Sequence, residues 1–218
     1  MTLNCLLPQV TPISLFTLAA LNEYPECRVY HFLCSEAEHD LIHRINPLAI
    51  ETASAEGMDC VLIDGEGSVH DNIPFAVIID RNHHDPPASY AHYCRISVPI
   101  LYQELSSMDL KQTETDPIAA VDAEDVGIIA AHLMAHPLPH QESTQFHLEQ
   151  PVSLAYLQAI HSRLPTTNPN TLSSKLSSPL IHKNDAESLL PGHQLCTLEE
   201  FITKYTHSLY HQRFRNAA

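Results

Sequence analysis

The stretch Leu6-Leu7-Pro8-Gln9-Val10-Thr11-Pro12-Ile13-Ser14 joins the first apolar segment of the chain to the first helical one. Residues 2–7 form a short apolar run typical of a buried strand, whereas residues 13–21 place their apolar side chains on one stripe of a helix. A strand followed directly by a helix is the opening of an α/β unit. The stretch therefore predicts a fold in which strands and helices alternate.

The rest of the chain continues this alternation. Further strands are predicted over residues 27–34, 59–64, 75–80, 92–98 and 145–148. Further helices are predicted from Ser35 to Glu56, with an interruption before Pro47 and Gly57 as the carboxyl-terminal cap, and over residues 123–136, 153–164 and 198–213. The strands are continuous apolar runs, not alternating ones, which favours a parallel sheet covered on both faces.

The connection between the first strand and the first helix contains no glycine. In a dinucleotide site, glycines in this turn let backbone N–H groups approach a pyrophosphate at the helix N-terminus, and a proline removes one donor. Gln9, Thr11 and Ser14 could still donate hydrogen bonds to an anion there. The alternative is that Thr11 or Ser14 simply caps the helix.

Composition limits the classes of function. The chain has 218 residues, of which 44% are hydrophobic, enough for one core and one domain. Its formal net charge of −15 opposes binding to nucleic acids and anionic membranes. The six cysteines form no C-x-x-C pair and indicate reduced thiols. With no signal-peptide pattern or long apolar run, we expect a cytoplasmic protein.

Several segments resemble NmrA-like atypical short-chain dehydrogenases. Residues 120–133 are similar to the family's strand end with an Asp-x-x-Asp pair, here Asp122 and Asp125, before an alanine-rich helix. Residues 146–157 and 196–201 resemble its later strand, turn and helix and its closing helix start. The resemblance implies a truncated Rossmann-like parallel sheet with helices on both faces (residues 1–117) plus a small C-terminal α/β ligand-side region (residues 118–218).

The chain is shorter than usual for this family, which implies an internal deletion. In the leading alignment, residues 27–34 correspond to the family's fourth strand, so that the second and third strands and their helices are missing. The segment that contacts the adenosine ribose would then be lost together with the glycine-rich turn. In a rival alignment, residues 27–34 are the second strand and the deletion comes later.

Candidate site residues gather where parallel strands end. The chain has no Tyr-x-x-x-Lys pair, which counts against ordinary carbonyl reduction. His84 and Asp85, next to His83 in a proline-containing loop, are candidates for general base chemistry, although a solvated polar turn is the simpler interpretation. If the fold is right, Asp64, Pro99 and Tyr102 face the same cleft, with Tyr102 as a further catalytic candidate. The structural alternative for Asp64 is a strand cap, and the alternative for Tyr102 is an aromatic side chain at the edge of the core.

The leading hypothesis is a small-molecule-binding protein that has lost NAD(P) and performs non-redox chemistry of isomerase or cyclase type. The alternatives are a non-catalytic metabolic sensor acting through a protein partner, and a surviving NAD(P)-dependent oxidoreductase. We expect a small organic ligand, with a homodimer or a protein partner left open, and neither nucleic acid nor membrane as a partner. His132 and His136 lie four residues apart without a fixed third ligand, so we expect no metal.

Overall fold

A computed structural model describes residues 2–64, 72–81, 90, 92–107, 117–137, 144–160 and 184–206. Its strands are β1 (Leu3–Leu7), β2 (Cys27–Phe32), β3 (Ile50–Thr52), β4 (Cys60–Asp64), β5 (Phe75–Asp80), β6 (His92–Ser97), β7 (Ile118–Ala120), β8 (Thr144–His147) and β9 (Gln150–Val152). Its helices are α1 (Pro12–Leu21), α2 (Glu36–Ile45), α3 (Ala123–Ala135), α4 (Leu154–Ile160), α5 (Ala186–Leu189) and α6 (Leu198–Thr206). A 3-10 helix spans Tyr102–Ser107.

Seven strands form one sheet in the order β3-β2-β1-β4-β5-β6-β8, and every neighbouring pair is parallel. The order 3-2-1-4-5-6 is that of the Rossmann fold. Strands β7 and β9 form a separate antiparallel pair. The predicted Rossmann-like α/β fold is confirmed. Because the strands are parallel, their carboxyl ends share one edge, where open sheets of this kind bind ligands.

The position of β2 in the sheet decides between the two alignments. On one side β1 pairs with β2, with Cys5 opposite Val29, and on the other side it pairs with β4, with Cys5 opposite Cys60. Residues 27–32 therefore take the second-strand position next to β1. The leading alignment, which made this segment the fourth strand and counted the second and third strands as missing, is wrong, because β2 and β3 occupy those positions. The rival alignment placed the segment correctly.

Strand β3 is absent from the sequence-based prediction, which continued α2 to Glu56. The helix ends at Ile45, where the Asn46 N–H still bonds Ile42 O at 2.8 Å and Pro47 prevents further helix. Gly57 has a φ of +76° in the turn before β4 and caps no helix. Residues 53–59, which connect β3 to β4, contain no helix.

Helices α1 and α3 pack against each other in the main core. Gly127 of α3 lies against the backbone of α1: a Cβ placed on it would be 2.4 Å from Phe16 Cβ and 2.8 Å from Thr17 N. A glycine there lets the two helices approach closely. This contact fixes the position of α1, whose N-terminus lies at the ligand-binding edge of the sheet.

The opposite face of the sheet carries a second apolar cluster. Among the described residues, side chains from loops join the strands there, namely Met58, Ile73 and Tyr90. A third cluster unites the 3-10 helix with β7, β9, α4 and α6. Across the described residues, no helix has the length and apolar character needed to cross a membrane.

Candidate functional site

The N-terminus of α1 is closed by a reciprocal capping box. Thr11 Oγ1 accepts a hydrogen bond from Ser14 N at 3.1 Å, and Ser14 Oγ accepts one from Thr11 N at 2.8 Å. Pro12 has no N–H to offer. Within residues 11–14, the described contacts leave only the Ile13 N–H unbonded. The capping interpretation of Thr11 and Ser14 is therefore what the structure shows, and it occupies donors that an anion would need.

Asp64 supplies a negative charge at the same place. It ends β4, and the Thr11 side chain lies close enough to its carboxylate to act on the pKa of Asp64. Burial raises the pKa of Asp64, while Thr11 and the charge of Arg81 act in the opposite direction. The chain's own carboxylate thus lies beside the positive end of the α1 dipole.

Two ion pairs continue this layer along the carboxyl edge of the sheet. Arg81, directly after β5, pairs with Glu104 of the 3-10 helix, and the Glu104 side chain is only 8% exposed. Glu104 also accepts a hydrogen bond from Leu101 N at 3.3 Å. Burial raises the pKa of Glu104 even though Arg81 opposes the shift.

The second pair joins neighbouring strands. Arg95 Nε of β6 donates to Asp80 Oδ2 of β5 at 2.9 Å, and both side chains are largely buried. The sequence analysis missed Arg81, Arg95, Asp80 and Glu104 as site residues. A signal was available, because Asp80 and Arg95 are charged residues within otherwise apolar strands, where burial requires a partner.

The remaining predicted residues lie in different surroundings. Gln9 follows β1, and its Oε1 is buried without a hydrogen bond among the described residues. Pro99 is half-buried after β6. Tyr102 is 1% exposed, and its ring packs on Phe201 with centroids 5.4 Å apart. Burial raises the pKa of Tyr102.

His83, His84 and Asp85 lie outside the described residues, so their proposed role stays a prediction. The described residues bring Thr11, Ser14 and Asp64 together. They place Tyr102 in the core, as its structural alternative supposed.

A second polar group surrounds the N-terminus of α3. Asp125 Oδ2 accepts a bond from Cys196 N at 2.7 Å, and Asp125 Oδ1 lies 3.0 Å from His193 Nε2. Gln103 Nε2 donates to Asp122 Oδ1 at 2.7 Å. An open pocket of about 550 Å³ borders this group, lined in part by Lys204 and Glu199. The contacts of Asp125 attach the C-terminal segment to α3, and the bond from Gln103 attaches the 3-10 helix to Asp122.

The two histidines that the sequence places four residues apart lie at the carboxyl-terminal end of α3. The rings of His132 and His136 lie 4.5 Å apart, and the Tyr24 hydroxyl is 3.2 Å from His132 Nδ1. In the part of the chain that the structure describes, no three His, Cys, Asp or Glu side chains are arranged to hold a metal ion.

Comparison with known proteins shows which solved structures have a similar fold. The sequence matches no family model and no curated protein. Gre2 from Candida albicans is similar in structure, with a TM-score of 0.58, 11% identity and coverage of 99% of both chains. Vestitone reductase from alfalfa has a TM-score of 0.52 and 8% identity over 92% of this chain and 86% of its own. Yeast methylglyoxal/isovaleraldehyde reductase Gre2, complexed with NADPH, has a TM-score of 0.50 and 10% identity over 100% and 99%.

At such low identities, the likeness shows a shared fold. The chain is a Rossmann-like α/β protein whose structural neighbours include reductases.

Proposed function

We propose that this chain is an NmrA-like protein that binds a small organic molecule at the carboxyl edge of its sheet without a nicotinamide dinucleotide. On this proposal it is a repurposed enzyme that carries out non-redox, acid–base chemistry of isomerase or cyclase type. The observation that carries the proposal is the closed N-terminus of α1, where Thr11 and Ser14 bond each other and Asp64 lies close to Thr11.

The residues present do not fit a pyrophosphate. A dinucleotide site offers unbonded N–H groups and the positive end of a helix to the phosphates. Here Thr11 N and Ser14 N are bonded to side chains, and Asp64 brings a negative charge to the same helix end. Ionised Asp64 would repel a bound pyrophosphate.

The layer of charged groups can instead support proton transfer. Burial raises the pKa of both Asp64 and Glu104, which brings each carboxyl group closer to the range where it can exchange a proton at neutral pH. One carboxylate would remove a proton from a bound substrate, and the other, as the acid, would return one. Arg81, which interacts with both groups, would stabilise negative charge that develops on a substrate oxygen.

The experiment is to identify what the protein carries and which residues hold it. The wild type and the variants Asp64→Asn and Glu104→Gln are purified from the same cells without added ligand and studied by native mass spectrometry. We expect a bound small molecule on the wild type that is lost from both variants. Asp59→Asn is the matched control, because Asp59 lies beside the opposite end of β4 and its Oδ2 accepts from Asn4 N at 2.8 Å.

The proposal fails if the wild type carries no small molecule, or if both variants keep it. Once a substrate is known, His84→Ala and Asp85→Asn test the loop that lies outside the described residues. Unchanged turnover in those two variants would remove His84 and Asp85 from the mechanism.

One observation favours the alternative of a sensor that acts through a protein partner. Leu33, Leu48 and Ile50, near the β3 edge of the sheet, are 70%, 85% and 41% exposed. Exposed apolar side chains near an unpaired strand edge are suited to contact with another protein. A partner captured by the wild type but lost with Leu48→Asp, together with no bound small molecule, would favour the sensor. The third alternative, an NAD(P)-dependent oxidoreductase, rests on the fold shared with yeast Gre2.

A further inference from the structure

A small, partly open cavity lies between the ends of β1 and β2 and the first turns of α1. Its volume is about 10 Å³, enough for one water molecule. Most of its lining is apolar, from side chains such as Leu15, Val29 and Ile42. Three polar side chains, Gln9, Ser14 and His31, line the same cavity, and the Ser14 hydroxyl is already bonded to Thr11.

Gln9 and His31 each have a buried acceptor atom without a hydrogen bond in the described part of the chain. On Gln9 the atom is Oε1, and on His31, which is 3% exposed, it is Nε2. His31 Nδ1 lies 2.9 Å from the carbonyl oxygen of Phe32, which can only accept a hydrogen bond. Nδ1 therefore carries the ring proton, and Nε2 of the neutral ring is an acceptor. The Cys34 sulfur is 3.9 Å from the same Nδ1, too far to reverse this assignment.

Two acceptors that border one cavity require a donor with two hydrogens. We propose that this cavity holds one ordered water molecule, which donates one hydrogen bond to Gln9 Oε1 and one to His31 Nε2. An anion would meet two acceptors and no free donor, because the Ser14 hydroxyl donates to Thr11 O at 3.0 Å, and no carboxylate lines the cavity to favour a cation. Leaving both acceptors unbonded would destabilise the fold, so the water satisfies them.

This water would link the glycine-free loop to the sheet. Gln9 belongs to the connection between β1 and α1, whereas His31 belongs to β2. A water molecule bonded to both side chains would hold the β1–α1 loop against β2. The inference does not depend on the proposed function, because it concerns the interior of the fold and not the substrate.

The first test is a high-resolution crystal structure of the wild type. We expect one peak of density within hydrogen-bond distance of both Gln9 Oε1 and His31 Nε2. The proposal is overturned if the cavity is empty, or if the Gln9 amide bonds the His31 ring directly.

The second test is a double-mutant cycle read by thermal unfolding. Gln9→Met and His31→Phe should each lower Tm by roughly 2–10 °C, because each displaces the water and leaves the other acceptor unbonded. The double variant leaves no acceptor unbonded, so its loss should be clearly smaller than the sum. Additive losses would overturn the shared water. Gln145→Met, at an exposed position, is the control and should leave Tm nearly unchanged. If His31→Phe does not fold, the crystal structure alone decides.

Discussion

Gly127→Ala should destabilise the fold although alanine favours a helix. In an exposed helix the change would gain about 1 kcal/mol. At Gly127 the new Cβ would lie 2.4 Å from Phe16 Cβ, 2.8 Å from Thr17 N and 2.9 Å from Phe16 C. Two of these atoms belong to the backbone of α1 and cannot rotate away. Overpacking of a close-packed core costs about 1–3 kcal/mol, and a backbone contact this short places the cost at or above the upper end.

The net loss is therefore about 2 kcal/mol, equivalent to a fall in Tm of roughly 4–8 °C for a chain of this size. Differential scanning calorimetry of the wild type and the variant measures it. Gly57→Ala is the comparison: its new Cβ meets no atom within 4 Å, so its only cost is the positive φ of +76°. Gly127→Val should lower Tm more than Gly127→Ala, because a larger side chain meets the same α1 backbone. At Gly57, where no atom lies within 4 Å of a new Cβ, no loss from steric contact is expected. A Gly127→Ala protein as stable as the wild type would refute the close α1–α3 contact that positions the site.

Three further changes test the charged layer and the cap. Thr11→Ala should lower the free energy of unfolding by about 1 kcal/mol in urea, because it removes the N-cap of α1. Burial raises the pKa of Asp64, so its ionised form destabilises the folded state at neutral pH; Asp64→Asn should therefore stabilise the protein at pH 7, and this gain should disappear as the pH falls towards 4. An Asp64→Asn gain that grows on acidification would contradict the sign of the shift. Arg81→Met should cost about 3–5 kcal/mol by leaving buried Glu104 without its cation, and Arg81→Met with Glu104→Leu should recover most of that loss.

Much of the fold could be predicted from the sequence. The run Phe75–Asp80 coincides with β5, and the predicted strands 59–64 and 92–98 differ from β4 and β6 by one residue at one end. Continuous apolar runs are the signature of strands covered on both faces. Strand β3 could not be found in this way, because its three residues, Ile50–Thr52, are only partly covered at the sheet edge and carry no apolar run. Short edge strands are defined by the neighbour they pair with, here β2.

The surroundings of the predicted site residues could be anticipated only near α1, and their roles stay predictions. The missing glycines indicated an unusual α1 N-terminus, and the Thr11–Ser14 box is a local pattern that the sequence could suggest. The pairing of Arg81 with Glu104 joins residues 23 positions apart through the arrangement of β5 and the 3-10 helix. Sequence reasoning on single strands cannot reach such a contact. Tyr102 was placed in the cleft from its position after Pro99, but its ring is part of the cluster around Phe201.

Titration with NADPH tests the central claim most directly, namely that the chain's own groups occupy the place of a pyrophosphate. Isothermal titration calorimetry of the wild type should show no binding tighter than about 10 μM, with yeast Gre2 as the positive control for the shared fold. A dissociation constant well below that value would show that the Thr11–Ser14 box and Asp64 yield to a dinucleotide. This result would contradict the proposal that the chain no longer binds a nicotinamide dinucleotide.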